Sequence, residues 1–219
     1  MALLASEVMD RSRAVLNDVA IDLHTNEVLL PYLKIANDDL SDELVDHGST
    51  VTKEVSVDIP LSANVKQLIL PNDIIVPIQA FEKDTGRGDE YYKQMDQRSF
   101  LPNGVPGNEL GVWVWREQQV VFIGATVSKS IRLRYHRLIL AVTGENSPIE
   151  LTHALNYLAY HTAALAAEHI GQNRSKAIDL ESVAVGKLNK LLKKEVKQSH
   201  SKPTRRRPFK LNRFTTYTR

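Results

Sequence analysis

The sequence predicts an α+β protein, with N- and C-terminal helix pairs forming a helical bundle, an inserted antiparallel β-sheet and an extended C-terminal tail. Three observations predict it. Apolar residues recur at helical spacing over about 6–46 and again over about 147–198. Between about 50 and 140 the period falls to two, the period of a half-buried strand. Charge is also divided unevenly. Of 28 Lys/Arg and 26 Asp/Glu, residues 187–219 hold 12 basic residues and one acid, Glu195. The net charge of +2 therefore hides an acidic body over 1–186, at −9, and a basic C-terminal stretch, at +11, that serves a partner; the domain is 1–199 and the extended tail 200–219.

The first helix runs over about 6–18, with Ser6 as its cap and Val8, Val15, Leu16 and Val19 on one stripe. The second runs from Thr25 to Val45. Thr25 caps it, Glu27 suits the positive end of the helix dipole, and Leu29, Leu33, Ala36, Leu40 and Leu44 form its apolar face. Pro31 kinks it or moves its start forward, and Gly48 suits its stop. Val51, Lys53, Val55, Val57 and Ile59 then share one face of a strand. Residues 65–70 and 74–82 are two further strands around the turn Pro71-Asn72-Asp73. Residues 83–109 are rich in Gly, Pro, Asp and Asn and read as a long functional or mobile loop, with one helical turn between Glu90 and Met95.

Residues 110–137 read as three antiparallel strands. They comprise Leu110 to Trp115, Val120 to Ala125 after a turn at Glu117-Gln118, and a strand in which Ile131, Leu133 and Tyr135 alternate with Arg132, Arg134 and His136. The last has one buried and one basic face. Ser147-Pro148-Ile149-Glu150 carries the signature of a capping box, with Pro148 at the first helical position, and opens a helix to about Ile170. Its alanines, from Ala154 to Ala167, make it slim. A last helix, about 178–198, turns Leu180, Ala184, Leu188, Leu191 and Leu192 inward and five lysines mostly outward. Pro203 and Pro208 break regular structure beyond His200, and the tail is expected to be disordered in the free chain.

Several chemistries find no support. There is no cysteine, which removes disulfides, Cys-based zinc sites and thiol catalysis. His153, His161 and His169 lie eight residues apart, a rotation of about 80° per step, so they do not converge on a metal. No G-x-S-x-G is present. Asp38-Asp39, Asp42-Glu43 and Asp46 are explained by solvation of a polar helix face, a paired catalytic role being the sharper alternative. Gly86-Arg87-Gly88 and Asn103-Gly104 do not match a phosphate-binding loop. No apolar run is long enough to span a bilayer, and the acidic turn of the first ten residues does not suit a signal peptide. A soluble, intracellularly folded, non-enzymatic protein without metal or cofactor is expected.

Trp113 and Trp115 point to one face of a strand and suit core or subunit-interface packing. With Arg132 and Arg134 they are the subunit-interface candidates. In the tail, Arg205, Arg206, Arg207, Phe209, Lys210, Leu211, Arg213, Phe214 and Tyr217 interleave cations with apolar groups, a pattern for docking on a partner. A phosphate-binding tail would not need the apolar residues.

Four segments in this order resemble the head-to-tail adaptor (connector, or head-completion) proteins of tailed bacteriophages. The first is Leu29-Leu30-Pro31-Tyr32-Leu33 with Ala36, Asp39 and Leu40. The second is Val57-Asp58-Ile59-Pro60-Leu61 leading to Leu68-Ile69-Leu70-Pro71-Asn72-Asp73 and Pro77. The third is Trp113-Val114-Trp115 followed by Val121-Phe122-Ile123-Gly124-Ala125 and Leu133-Arg134-Tyr135. The fourth is a C-terminal helical pair with an extended tail. Together they span most of 15–200. The resemblance implies a non-enzymatic virion protein of the neck, folded in the host cytoplasm. It forms a homo-oligomeric ring, usually of twelve copies, below the portal protein. The ring extends the channel for double-stranded DNA and carries a stopper, nozzle or tail protein beneath it. Portal docking would fall on Arg205, Arg206, Arg207, Phe209, Lys210, Leu211, Arg213 and Phe214. The alternative is a nucleic-acid-binding protein using the same tail.

Overall fold

A computed structural model describes residues 3–18 and 23–199; the tail that carries the docking residues, 200–219, lies outside them. The architecture is α+β, with about 40% of the described residues helical and 24% in strands. In chain order the elements are β1 (Leu3–Leu4), α1 (Ala5–Leu16), α2 (Asn26–Asp46), β2 (Lys53–Val55), β3 (Ile59–Leu61), β4 (Ile74–Asp84), a 3-10 turn (Asp89–Tyr91), β5 (Lys93–Gln94) and β6 (Asp96–Gln97). They continue with β7 (Val112–Arg116), β8 (Gln119–Val121), β9 (Lys129–Arg137), β10 (Pro148–Ile149), a second 3-10 turn (Thr152–Ala154), α3 (Leu155–His169) and α4 (Arg174–Ser199).

The helices share one core. α3 packs against α1, α2 and α4. Its alanines at 159, 163, 164, 166 and 167 are buried, which lets the neighbouring backbones approach closely. All five apolar residues expected on the inner face of α2 are fully buried, and the expected inward residues of α4 are buried. Pro31 sits inside α2 without ending it. The helix stops at Gly48, φ +62°, where Ser49 N–H donates back to Leu44 O at 2.9 Å and Gly48 N–H to Val45 O at 2.8 Å. α4 starts four residues earlier than its apolar stripe predicts, because the Asn173 side chain accepts a hydrogen bond from Lys176 N–H at 3.0 Å and caps the helix.

The capping box at 147–150 does not form. Pro148 and Ile149 pair with Leu3 and Leu4 as a two-stranded ladder, and α3 begins only at Leu155. Ser147 Oγ instead accepts N–H groups of Thr143 and Gly144, at 3.0 and 2.9 Å. The carbonyls of Glu145 and Ser147 accept the first N–H groups of α1, those of Ser6 and Ala5. Those bonds satisfy α1 from outside, so Leu4 holds the cap position and Ser6 lies within the helix.

The second core belongs to the sheets. β9 is central, with β4 on one side and both β2 and β3 on the other, and β5 beyond β4. The ladder between β4 and β9 shifts register around Pro77, which has no N–H to donate. β7 and β8 form a hairpin whose turn residues, Glu117 and Gln118, are both left-handed (φ 52° and 59°). β6 joins β7 in parallel. The third strand of the expected meander thus leaves β8 and pairs with β4 instead. Residues 65–70 make only a single bridge, Gln67 with Val121. The strand expected over 51–59 is broken at Ser56. Its hydroxyl accepts Leu133 N–H at 2.9 Å while its own N–H donates to Leu133 O at 2.8 Å. The break turns Val55 and Val57 outward, leaving Thr52, Ser56 and Leu61 buried.

Candidate interaction surfaces

The sheet places the four interface candidates in different surroundings. Trp113 is fully buried among Leu110, Phe122 and Leu133 in the sheet core, so it packs the fold and offers no ring face to a neighbour. Trp115 packs half-buried at the rim of the same core. Ile131, Leu133 and Tyr135 of β9 are buried as read, but His136, expected on the basic face, is buried as well, its ring nitrogen 2.7 Å from the Thr52 hydroxyl.

Arg132 is already satisfied within the chain. Its guanidinium donates to Asp58 at 2.6 and 3.0 Å and to Asp89 at 3.1 Å. Lys83 joins the same carboxylates, 2.9 Å from each. Both cations lie over the Tyr92 ring, at 4.6 Å for Lys83 and 4.4 Å for Arg132. Lys83 above all, with Arg132, holds the Asp58 carboxyl down at about 2 against the opposing effect of burial. Asp89 is lowered by Lys83 and then Arg132. Arg134 differs. It lies over the Phe81 ring at 5.8 Å, reaches Gln79 at 3.4 Å, and pairs across the ladder with the exposed Val55. Of the four candidates, Arg134 and, at the rim, the half-buried Trp115 have surface settings.

The segment 83–109 is tied down by charge. Glu82 is buried and accepts N–H groups of Leu110 at 3.0 Å and Gly111 at 2.7 Å, while Lys129 reaches it at 3.4 Å and Asp84 at 2.8 Å. Inside it a 3-10 turn, Asp89–Tyr91, begins one residue before the expected helical turn at 90–95, and β5 and β6 add strand structure that the composition does not show.

The helical layer carries a groove that sequence reasoning missed. Two depressions, of about 360 and 300 Å³, meet at His161 and Glu181 between α2, α3 and α4. Asp39, Asp42, Glu43 and Asp46 wall it on α2. Their i, i+3, i+4, i+7 spacing was the available signal, because it sets all four on one face. The floor is largely apolar, with Ala164, Leu165 and Ala177 in one depression and Tyr157, Val185 and Leu188 in the other. His161 stands between carboxylates, with Asp39 2.9 Å from one ring nitrogen and Glu181 2.8 Å from the other. Burial, then Asp39, Glu181 and Glu43, pushes the Tyr157 hydroxyl up. Burial and the neighbours Asp39 and Asp42 push Asp38 up, a sign of crowded like charge along α2.

On its other flank α4 lines a basic groove of about 320 Å³, formed by Lys187, Lys190, Lys193 and Lys194 with His153. His169 stacks on Tyr32, and His153 lies in the 3-10 turn before α3 rather than on the helix, so the three histidines stand in three separate places. Among the described residues no group of three His, Asp or Glu side chains is arranged to hold a metal ion, and no helix is long and apolar enough to cross a membrane. No protein-family model matches the chain, and no curated protein matches it significantly.

Proposed function

We infer that the chain is a structural head-to-tail adaptor of a tailed bacteriophage. In this reading a ring of copies, with the helices as a bundle and the sheet as an insertion, sits below the portal and extends the channel for double-stranded DNA. The observation that carries it is the order of parts. A helical pair leads into an antiparallel sheet, and a second helical pair follows whose 26-residue last member runs directly into the basic, aromatic segment 200–219. That segment suits docking on the portal, since cations steer and apolar side chains fill pockets. A ring multiplies one modest contact into high avidity. Arg134 with Val55, and Trp115 at the rim, suit contact between neighbouring copies. Electron microscopy of the particle neck tests the reading: a closed ring of this chain at the portal is expected, and isolated copies would overturn it.

One observation favours a second reading. The lysine groove beside α4 leads along the same helix toward the basic tail, which suits a nucleic-acid backbone. Binding to duplex DNA that falls steeply with salt, without any attachment to portals, would favour it.

A further inference from the structure

We propose that the groove between α2, α3 and α4 holds residues 200–219 of the same chain when no partner is bound. The inference stands whether or not the portal reading holds, because it concerns the free chain.

The groove has the two properties the segment needs. Six carboxylates line it, Asp39, Asp42, Glu43, Asp46, Glu168 and Glu181, against the single guanidinium of Arg174. Its floor is apolar and open: on α4, Ile178 is 60% and Val185 46% exposed. Residues 200–219 hold seven Lys/Arg and no acid, interleaved with Phe209, Leu211, Phe214 and Tyr217. Cations at the acidic wall and rings on the apolar floor match both features together. The lysine groove on the other flank of α4 repels the same segment.

Reach permits the contact within one chain. Val185 lies 14 residues before the end of α4 at Ser199, about 21 Å along the helix. The 13 residues from 200 to 212 can span about 43 Å, enough to turn back to Val185. Tethering gives the segment an effective concentration on the order of millimolar at its own groove, well above that of a second copy in dilute solution. Held there, the cations and rings are shielded from non-specific contacts until a partner competes for them.

The cysteine-free chain allows a direct test in the full-length protein. Asn212→Cys is combined with Val185→Cys, on the groove side, or with Val183→Cys, about 200° around α4 on the lysine side at nearly the same distance from Ser199. Both valines are exposed, at 46% and 40%, so neither change disturbs the core. Under mild oxidation the Val185→Cys pair should form an intramolecular disulfide at least about tenfold faster than the Val183→Cys pair. The difference should vanish at about 1 M salt, where screening is nearly complete, and with Asp42→Lys plus Glu43→Lys. Equal rates at the two positions, a preference that survives both salt and charge reversal, or products linking only separate chains would overturn the proposal.

Discussion

His161 Nε2 lies 2.9 Å from a carboxylate oxygen of Asp39 and so ties the middle of α3 to the acidic edge of α2. Its other ring nitrogen lies 2.8 Å from Glu181 on α4, and its ring stacks on Tyr157 at 5.4 Å. One nearly buried side chain thus joins three helices. His161→Ala should lower stability by about 1–3 kcal/mol, because it opens a gap and removes the donor between two carboxylates. Asp39 and Glu181 are about half exposed, so water recovers part of the loss. His161→Gln, which keeps a donor but loses the ring stacked on Tyr157, should fall between. Urea unfolding of the three proteins checks the order, and an alanine variant as stable as the parent would contradict it.

The charge cluster on the sheet predicts a window of acid sensitivity. Asp58 has an ordinary value of 3.8 and is held at about 2 in the folded chain, chiefly by Lys83. A carboxyl depressed by folding stabilises fully above its unfolded value and loses that contribution as pH falls through its folded one. Stability should therefore drop between about pH 3.8 and 2. Asp58→Asn should be less stable at neutral pH and should lose part of its slope in that window. Midpoints of urea unfolding against pH would show it, and parallel curves for the two proteins would refute it.

Trp113 and Trp115 should separate cleanly on mutation. Trp113 is fully buried, so Trp113→Ala should cost about 3–5 kcal/mol, whereas Trp115→Ala at the rim should cost clearly less. The Trp113 indole N–H has no hydrogen-bond partner among the described residues, so Trp113→Phe loses volume but no bond and should be milder than alanine. Equal effects of the two alanine changes would mean that the core is drawn wrongly.

Glu82 should control the far end of the segment 83–111. It is 3% exposed and holds two backbone N–H groups along with Lys129. Glu82→Ala should cost about 3 kcal/mol, near the lower end for breaking a buried pair because Asp84 still holds Lys129. Amide exchange at Leu110 and Gly111 should speed up more than at β9. Unchanged protection there would show that the segment is held some other way.

Much of this fold was legible because burial and period coincide. The inner face of α2 and the apolar face of β9 each repeat one spacing over several turns or residues, and local physics fixes them. The misreadings fall where a distant partner decides. Ser147 to Glu150 satisfies a helix-start pattern, yet Leu3 and Leu4 claim Pro148 and Ile149 for a ladder, and Arg137 and Leu140 claim Glu150. The alternation of Val51 to Ile59 suggests an apolar face, but the Ser56 hydroxyl enters the ladder with Leu133 and breaks the strand. The acidic groove was half legible. The spacing of Asp39, Asp42, Glu43 and Asp46 was on view, but the apolar floor from α3 and α4 that turns a solvated face into a groove requires the tertiary packing.

The most direct test of the adaptor reading is co-sedimentation of the purified full chain with portal-bearing, DNA-free capsids. The reading predicts attachment without DNA, and a marked loss of it in the Phe209→Ala, Phe214→Ala double variant, which keeps every charge. Attachment that requires DNA, or a double variant that attaches as well as the parent, would contradict it.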